Sequence, residues 1–486
     1  MQFDLIVRGG TVVTERGREC ADVAVVGGRV EAIAPDLPTG GREIDATGKL
    51  VLPGGVDAHC HIEQLSGQGI WNADDFHSAT VSAAFGGTTT VVSFAAQHRG
   101  QSLRAAVEDY HARAAAKAVT DYAFHMIVSD PSPDVLEREL PALVESGHAS
   151  IKVFTTYPAL KLNDEQLLDV FAAARRLGAM VCVHAENDAM LQWTTRRLLA
   201  GGHTAPKFHA ISHPRAAEID AIHRLITISA FLDQPVVIFH VSTEEGLALV
   251  RRAKAEGVRI YAETCPQYLL FTRDDLDRPE LDGAKWMFSP PPRTGADQAA
   301  LWAGLAEGVF ETVTSDHAPY FFDARGKLKA GPAATFKEIA NGIPGLELRL
   351  PLLFTEGVGA GRITLEQFVR FGASEPARLY GLHPRKGDLM PGADADLAVW
   401  DPDREVEIAD DSTHDATGYT PYAGRRLRGW PVTVVRRGEV VVADGACLAA
   451  PATGVFLPRA AGPYAARSGH TAAELDPAHN FGADLL

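Results

Sequence analysis

Short apolar runs rich in Val, Ile and Phe recur along the chain, and most end in polar residues. They span 56–61, 88–95, 121–128, 148–154, 180–186, 236–242, 257–264 and 310–317, the texture of buried strands. Between most of them the apolar positions take a helical period, at Leu103 to Ala118, Glu165 to Leu177, Arg215 to Leu232 and Glu244 to Glu256. Strands alternating with amphipathic helices predict a parallel sheet with helical crossovers. Eight such units predict a closed (β/α)8 TIM-like barrel, whose site lies at the C-terminal ends of its strands.

Both ends of the chain read differently. Residues 1–52 hold short strands and turns, at Leu5 to Val13, Asp22 to Val26 and Arg29 to Ile33, and the texture resumes at Ala395 to Asp401 and Val432 to Val442. Neither half has enough strands to stand alone. The expected organisation is one small β-sandwich domain from 1–52 and 388–448, a barrel over 53–387 and a C-terminal tail over 449–486. The tail is rich in Ala, Pro and Gly without periodicity, so it is expected to lie on a neighbouring surface or stay mobile.

Candidate chemistry gathers at the strand ends. In Val56-Asp57-Ala58-His59-Cys60-His61 the alternation of a strand puts His59 and His61 on one face, and imidazole suits zinc and its first-row neighbours. Strand four carries Lys152, strand five ends in His184 and Glu186, strand six in His240, and strand eight in Asp316 and His317. A lone His on an apolar strand is more often a hydrogen-bonded structural residue than a ligand. Four His, a Lys and an Asp at the site-building end of a barrel point to a metal centre. Lys152 has two readings. It snorkels to solvent, or burial lowers its pKa and the neutral amine captures carbon dioxide. The resulting carbamate would span two metals held roughly 3.5–4 Å apart.

These pieces make the chain similar to the amidohydrolase superfamily, and within it to dihydropyrimidinases and D-hydantoinases. The resemblance rests on Gly54 to His61, Lys152 with Tyr157 five residues on, Val183 to Glu186, His240-Val241-Ser242, Glu263 to Tyr268, Ser289-Pro290-Pro291, Ser315-Asp316-His317 and Asn341 to Gly345. It implies that His59, His61 and Asp316 hold one divalent metal, most often zinc, and His184 and His240 a second. N6-carboxylated Lys152 would bridge them opposite a hydroxide. Tyr157 would polarise the scissile carbonyl, Asp316 would also move the proton, and Ser289 and Asn341 would read the cyclic amide through backbone groups. Without the resemblance, Tyr157 could be a packing ring, and Ser289 and Asn341 turn residues. His98, His125, His203, His209, His213 and His317 fit no pattern and are expected to be structural or solvent-facing.

The implied activity is ring opening of a dihydropyrimidine or 5-substituted hydantoin to the N-carbamoyl amino acid. Another cyclic amide or imide, such as allantoin, is the alternative. A non-catalytic scaffold relative is disfavoured because all six ligand positions and the tyrosine are kept. Dihydroorotases carry an arginine two residues after the second histidine, where this chain has Glu63, a residue expected to repel a substrate carboxylate. The loop Glu63 to Gly69 and the segment Thr155-Thr156-Tyr157-Pro158 depart from the usual pattern and leave the ring substituent open.

Composition narrows the partners. The chain has 486 residues and a formal net charge of −16, which argues against nucleic acid and anionic membranes. It has no run of 18 apolar residues and no signal-peptide core at its start. Five cysteines without a C-x-x-C pair fit reduced thiols in a cytoplasm. The resemblance implies a homotetramer, to which the apolar stretch Leu348 to Phe354 is expected to contribute contact surface.

Overall fold

The computed structural model describes residues 2–486. Eight parallel strands form the barrel sheet: β1 (Gly55–Cys60), β2 (Thr88–Ala96), β3 (Asp121–Ile127), β4 (Ser150–Phe154), β5 (Met180–His184), β6 (Val236–Ile238), β7 (Ile260–Thr264) and β8 (Thr312–Val313). They pair in sequence order. The ring closes where Cys60 bridges His317 in parallel, with the His61 N–H donating to His317 O at 2.7 Å. Crossover helices occupy the expected stretches because the caps are written locally. Asn163 and Gln166 form a reciprocal capping box before the helix Asp164–Leu177, and Gly178 ends it in a left-handed conformation.

Two strands are shorter than their apolar runs predict. β6 stops at Ile238 and β8 at Val313, because His240 and Asp316 take φ of 39° and 46°. A β-ladder does not accommodate left-handed backbone. The polar end of each run has left the sheet to build something else.

The terminal segments join as expected, with one refinement. Hydrogen bonding runs unbroken through eight strands, from Ala446–Cys447 to Arg29–Ala34, and a ninth, Arg42–Asp45, pairs with Leu5–Thr14 off that path. The link between the two ends of the chain is the antiparallel pairing of Leu50–Pro53 with Leu397–Glu407. The sandwich is therefore one sheet folded on itself around Leu5, Val7, Val23, Val399 and Val435. Ala395 N donates to Gly28 O at 2.9 Å, closing one half over the other.

Packing corrects one expectation and selects between the two readings of the tail. Leu348 to Phe354 lies inside the chain, with Leu350, Leu352 and Leu353 at most 4 % exposed, so it offers no contact surface to a second copy. The tail is tied down at its start. Tyr122 N donates to Val455 O and accepts back from Leu457 N through its carbonyl. The Arg459 guanidinium is buried between Phe124 O and Ser150 Oγ at the base of β3 and β4. No helix is long and apolar enough to cross a membrane among the described residues.

Candidate metal centre

All nine residues singled out by sequence (His59, His61, Lys152, Tyr157, His184, His240, Ser289, Asp316 and Asn341) line one cavity of about 450 Å³ at the C-terminal end of the barrel. Strand geometry puts them there. His59 and Lys152 point inward from β1 and β4, and His184 terminates β5. His240 and Asp316 reach the cavity through the left-handed turns that end their strands. Tyr157 also has a positive φ, 71°. Left-handed backbone at a non-glycine residue costs on the order of 1–3 kcal/mol and persists only where surrounding contacts enforce it. Here the enforcement is visible. Asp57 Oδ1 accepts from both His59 N (3.3 Å) and Ser315 N (3.2 Å), while Ser315 Oγ donates to His59 O.

Asp316 Oδ1 is the focus of the group. It lies 3.0 Å from His59 Nε2 and 3.4 Å from His61 Nε2. Donor atoms of His59, His240 and Asp316 all fall within 4.8 Å of one another. His184 stands beside His240, with ring centroids 4.5 Å apart. Its Nε2 is engaged by Glu186 Oε2 at 2.8 Å, leaving Nδ1 as the remaining ring nitrogen. Lys152 Nζ sits 3.8 Å from the centre of the Phe239 ring and makes no ion pair among the described residues.

The electrostatics suit a cation. Burial pushes the rings of His61, His184 and His240 below their ordinary range, toward the neutral form that donates a lone pair. Asp316 is held well below the usual carboxylate range, with His59, His61 and His240 overcoming its burial. Burial also opposes protonation of His59, but the carboxylates of Glu263 and Asp316 outweigh it and lift that ring to about 9. Burial lowers the Lys152 amine to about 7, within reach of the uncharged form. His240 Nδ1 is enclosed with no hydrogen-bond partner. A buried set of neutral imidazoles, an ionised aspartate and an orphaned ring nitrogen fits a divalent metal. Such an ion would replace the protons that these groups now share.

A supporting layer escapes sequence reading. Glu263 receives the His59 Nδ1 hydrogen bond. Glu186 joins His184 to His213 Nδ1, at 2.8 Å on each side. Gln64 Oε1 meets His61 Nδ1 at 2.8 Å. Such partners orient metal ligands and fix their tautomers. Glu186 and Glu263 stand within the motifs, but the fold brings His213, just past the helix Phe208–Ser212, to Glu186 and His59 of β1 to Glu263. Three histidines expected to be structural or solvent-facing, His98, His209 and His213, line the cavity. His125 and His317 are buried and hydrogen-bonded, and His203 is exposed. Glu63 is also corrected. Its carboxylate pairs with Lys117 at 2.8 and 2.9 Å, off the cavity wall, and repels nothing inside.

Burial raises the pKa of the Tyr157 phenol, keeping it a proton-bearing donor. Its ring centre lies 5.1 Å from that of His184. A directed O–H beside a metal centre can stabilise an oxygen on which negative charge develops.

Comparison with known proteins identifies the family of the chain. The amidohydrolase family model matches residues 50–441. The D-hydantoinase of Rhizobium radiobacter is 42% identical over 458 residues, covering 94% of this chain and 99% of that protein. The D-hydantoinase of Ralstonia pickettii is also 42% identical over 458 residues, with the same coverage. The crystal structure of dihydropyrimidinase from Brevibacillus agri NCHU1002 superposes with a TM-score of 0.91 at 38% identity, covering 94% of this chain and 99% of that one.

Glu263 provides a test of the supporting layer. Replacing Glu263 with Gln removes the charge that orients His59, and divalent-metal affinity should fall about 10–100-fold. Competition with a chelator reads it, and unchanged affinity would show that Glu263 does not support the centre.

Proposed function

The chain belongs to the amidohydrolase family, and from that premise we propose that its cavity opens a dihydropyrimidine or 5-substituted hydantoin to an N-carbamoyl amino acid. It is a cyclic amidohydrolase that uses divalent metal. The observation that carries the substrate reading is the meeting of four imidazoles, a buried lysine, an aspartate and a phenol on one cavity wall.

In this reading His59, His61 and Asp316 would hold one ion and His184 and His240 another, most often zinc, and Lys152, carboxylated at Nζ, would complete the ligand set. The depressed basicity of Lys152 and its lack of a carboxylate partner support that modification. Bound divalent ions supply Lewis acidity and lower the pKa of water toward neutrality. The remaining steps belong to side chains. Asp316 takes the proton of the attacking water at a carboxylate oxygen as the new C–O bond forms, and hands it to the ring nitrogen as the C–N bond breaks. Tyr157 donates its hydroxyl hydrogen to the carbonyl oxygen that becomes negative. Ser289 and Asn341 hold the ring through backbone groups.

The domain division at about residues 52, 388 and 448 belongs to the same proposal, as do a homotetramer and a cytoplasmic setting. The five unpaired cysteines suit a reducing compartment. Allantoin or a cyclic imide remains the alternative substrate class, since the same chemistry opens any of these rings.

A ring-opening assay across dihydrouracil, hydantoin, 5-substituted hydantoins, allantoin and succinimide should give its highest kcat/KM on a hydantoin or the dihydropyrimidine. Preference for allantoin or succinimide would replace the proposal with its alternative. Lys152→Ala should strip most bound metal and activity, as elemental analysis reads directly, and an active wild-type protein with one ion or none would end the two-metal reading. Tyr157→Phe should keep the metals and lower kcat by roughly 10²–10³, and Asp316→Asn should cost more. Full activity in Tyr157→Phe would remove the tyrosine from the reaction. Light scattering should give a tetramer mass at micromolar concentration, and a monomer mass would refute that assembly.

A further inference from the structure

Lys327 is fully buried, and its ammonium meets no carboxylate among the described residues. Burying such a group is costly, and an apolar side chain of similar length would fill the space without that cost. What Lys327 adds is a pair of hydrogen bonds. Its Nζ donates to Ala340 O at 3.0 Å and to Met287 O at 3.2 Å. These carbonyls belong to the two separate loops that carry Asn341 and Ser289. Met287 O also accepts from Gly342 N at 2.9 Å.

Peptide planarity gives this node its reach. The Ala340 carbonyl and the Asn341 N–H lie in one rigid unit, and the Asn341 carbonyl and the Gly342 N–H in the next. Lys327 holds the first unit directly. It holds the second through Met287 O, the acceptor it shares with Gly342. Both backbone groups of Asn341 are thereby set in direction. Gly342 lies against the segment after strand eight, where a Cβ on it would stand 2.3 Å from Ala318 O. Asn341 and Ser289 line the cavity, whereas Lys327, Met287 and Ala340 do not. The lysine works from behind the wall.

We propose that Lys327 is a positioning residue for substrate recognition, fixing the backbone N–H and C=O of Asn341 by gripping Ala340 O and Met287 O. This rests on the reading that Asn341 and Ser289 face the cyclic amide. The hydrogen bonds of the brace go to no candidate metal ligand, so its loss should weaken substrate and transition state alike and appear in KM.

The test uses the full-length, metal-loaded enzyme and its best substrate from the ring-opening assay. Lys327→Met should raise KM about tenfold or more while kcat stays within about threefold, the size expected for losing buried hydrogen bonds. Bound metal and inhibition by acetohydroxamate, a metal-seeking probe, should not change. Should the methionine variant fail to fold, Lys327→Gln, which keeps an N–H donor on a shorter stem, should show a smaller rise in KM of the same kind. An unchanged KM in a folded variant overturns the brace, as does a fall in kcat accompanied by metal loss. A wild-type enzyme that opens no cyclic amide overturns instead the reading on which the brace depends.

Discussion

Buried negative charge at the mouth of the barrel is the constraint from which the rest of the site follows. Glu186, Glu263 and Asp316 are all at most 9 % exposed, and isolated carboxylates in such a place would cost several kcal/mol each. Each is opposed by imidazole. Asp316 and Glu263 flank the two nitrogens of His59, and Glu186 lies between His184 and His213. Without a metal, the ring of His59 keeps a proton because two carboxylates face it, and a divalent cation at the same point would take that proton's place. The left-handed turns at His240 and Asp316 are the backbone cost of bringing those donors together.

The opposite end of the barrel carries a second buried charge cluster with a different purpose. Lys386 Nζ joins Asp121 at the start of β3 to Asp396, next to the strand Leu397–Glu407 of the terminal sheet, at 2.7 and 2.8 Å. A lysine opposed by three aspartates (Asp121, Asp394 and Asp396) is charge-saturated, unlike Lys152 and Lys327. The tail adds Arg459, which reaches Ser150 Oγ. Ser150 in turn meets His125 Nδ1, whose Nε2 donates to Ala58 O one residue before His59. Stability is concentrated at the floor and chemistry at the top, the usual division in this architecture.

The sequence discloses the parts of this arrangement that obey a period. Strand runs, helical faces and the His-x-His alternation are local, so the barrel and its inward-facing polar ends could be read residue by residue. Pairings across the barrel obey no period. The contact of His59 with Glu263 joins strands β1 and β7, and nothing in either motif names the other. Direction in loops is equally hidden. Glu63 has a φ of 50°, which swings its side chain to Lys117, so a charge that looked poised to repel a substrate is spent on a helix. The run Leu348 to Phe354 fails as a surface for a related reason. Hydrophobicity reports that a segment is buried, and only the fold says whether its own chain or a second copy buries it.

If the proposed roles hold, ligands on or just past strand ends and substrate contacts on loops would separate the chemistry of this site from its selectivity. His59, Lys152 and His184 belong to strands whose hydrogen bonds admit little movement. The cavity's outer wall is irregular chain held by links between loops. Lys329 Nζ reaches Gly69 O at 2.9 Å, Gln68 Nε2 reaches Lys337 O at 3.0 Å, and Lys327 spans Met287 and Ala340. Substitution within those loops can reshape the space for a ring substituent without moving a ligand. Departures in the Glu63 to Gly69 loop are therefore compatible with an intact centre. The same separation explains why the metal-binding chemistry reads clearly from the chain while the ring substituent does not. Ligand identity is a matter of residue type at a strand end, whereas ring selectivity depends on how several loops brace one another in space.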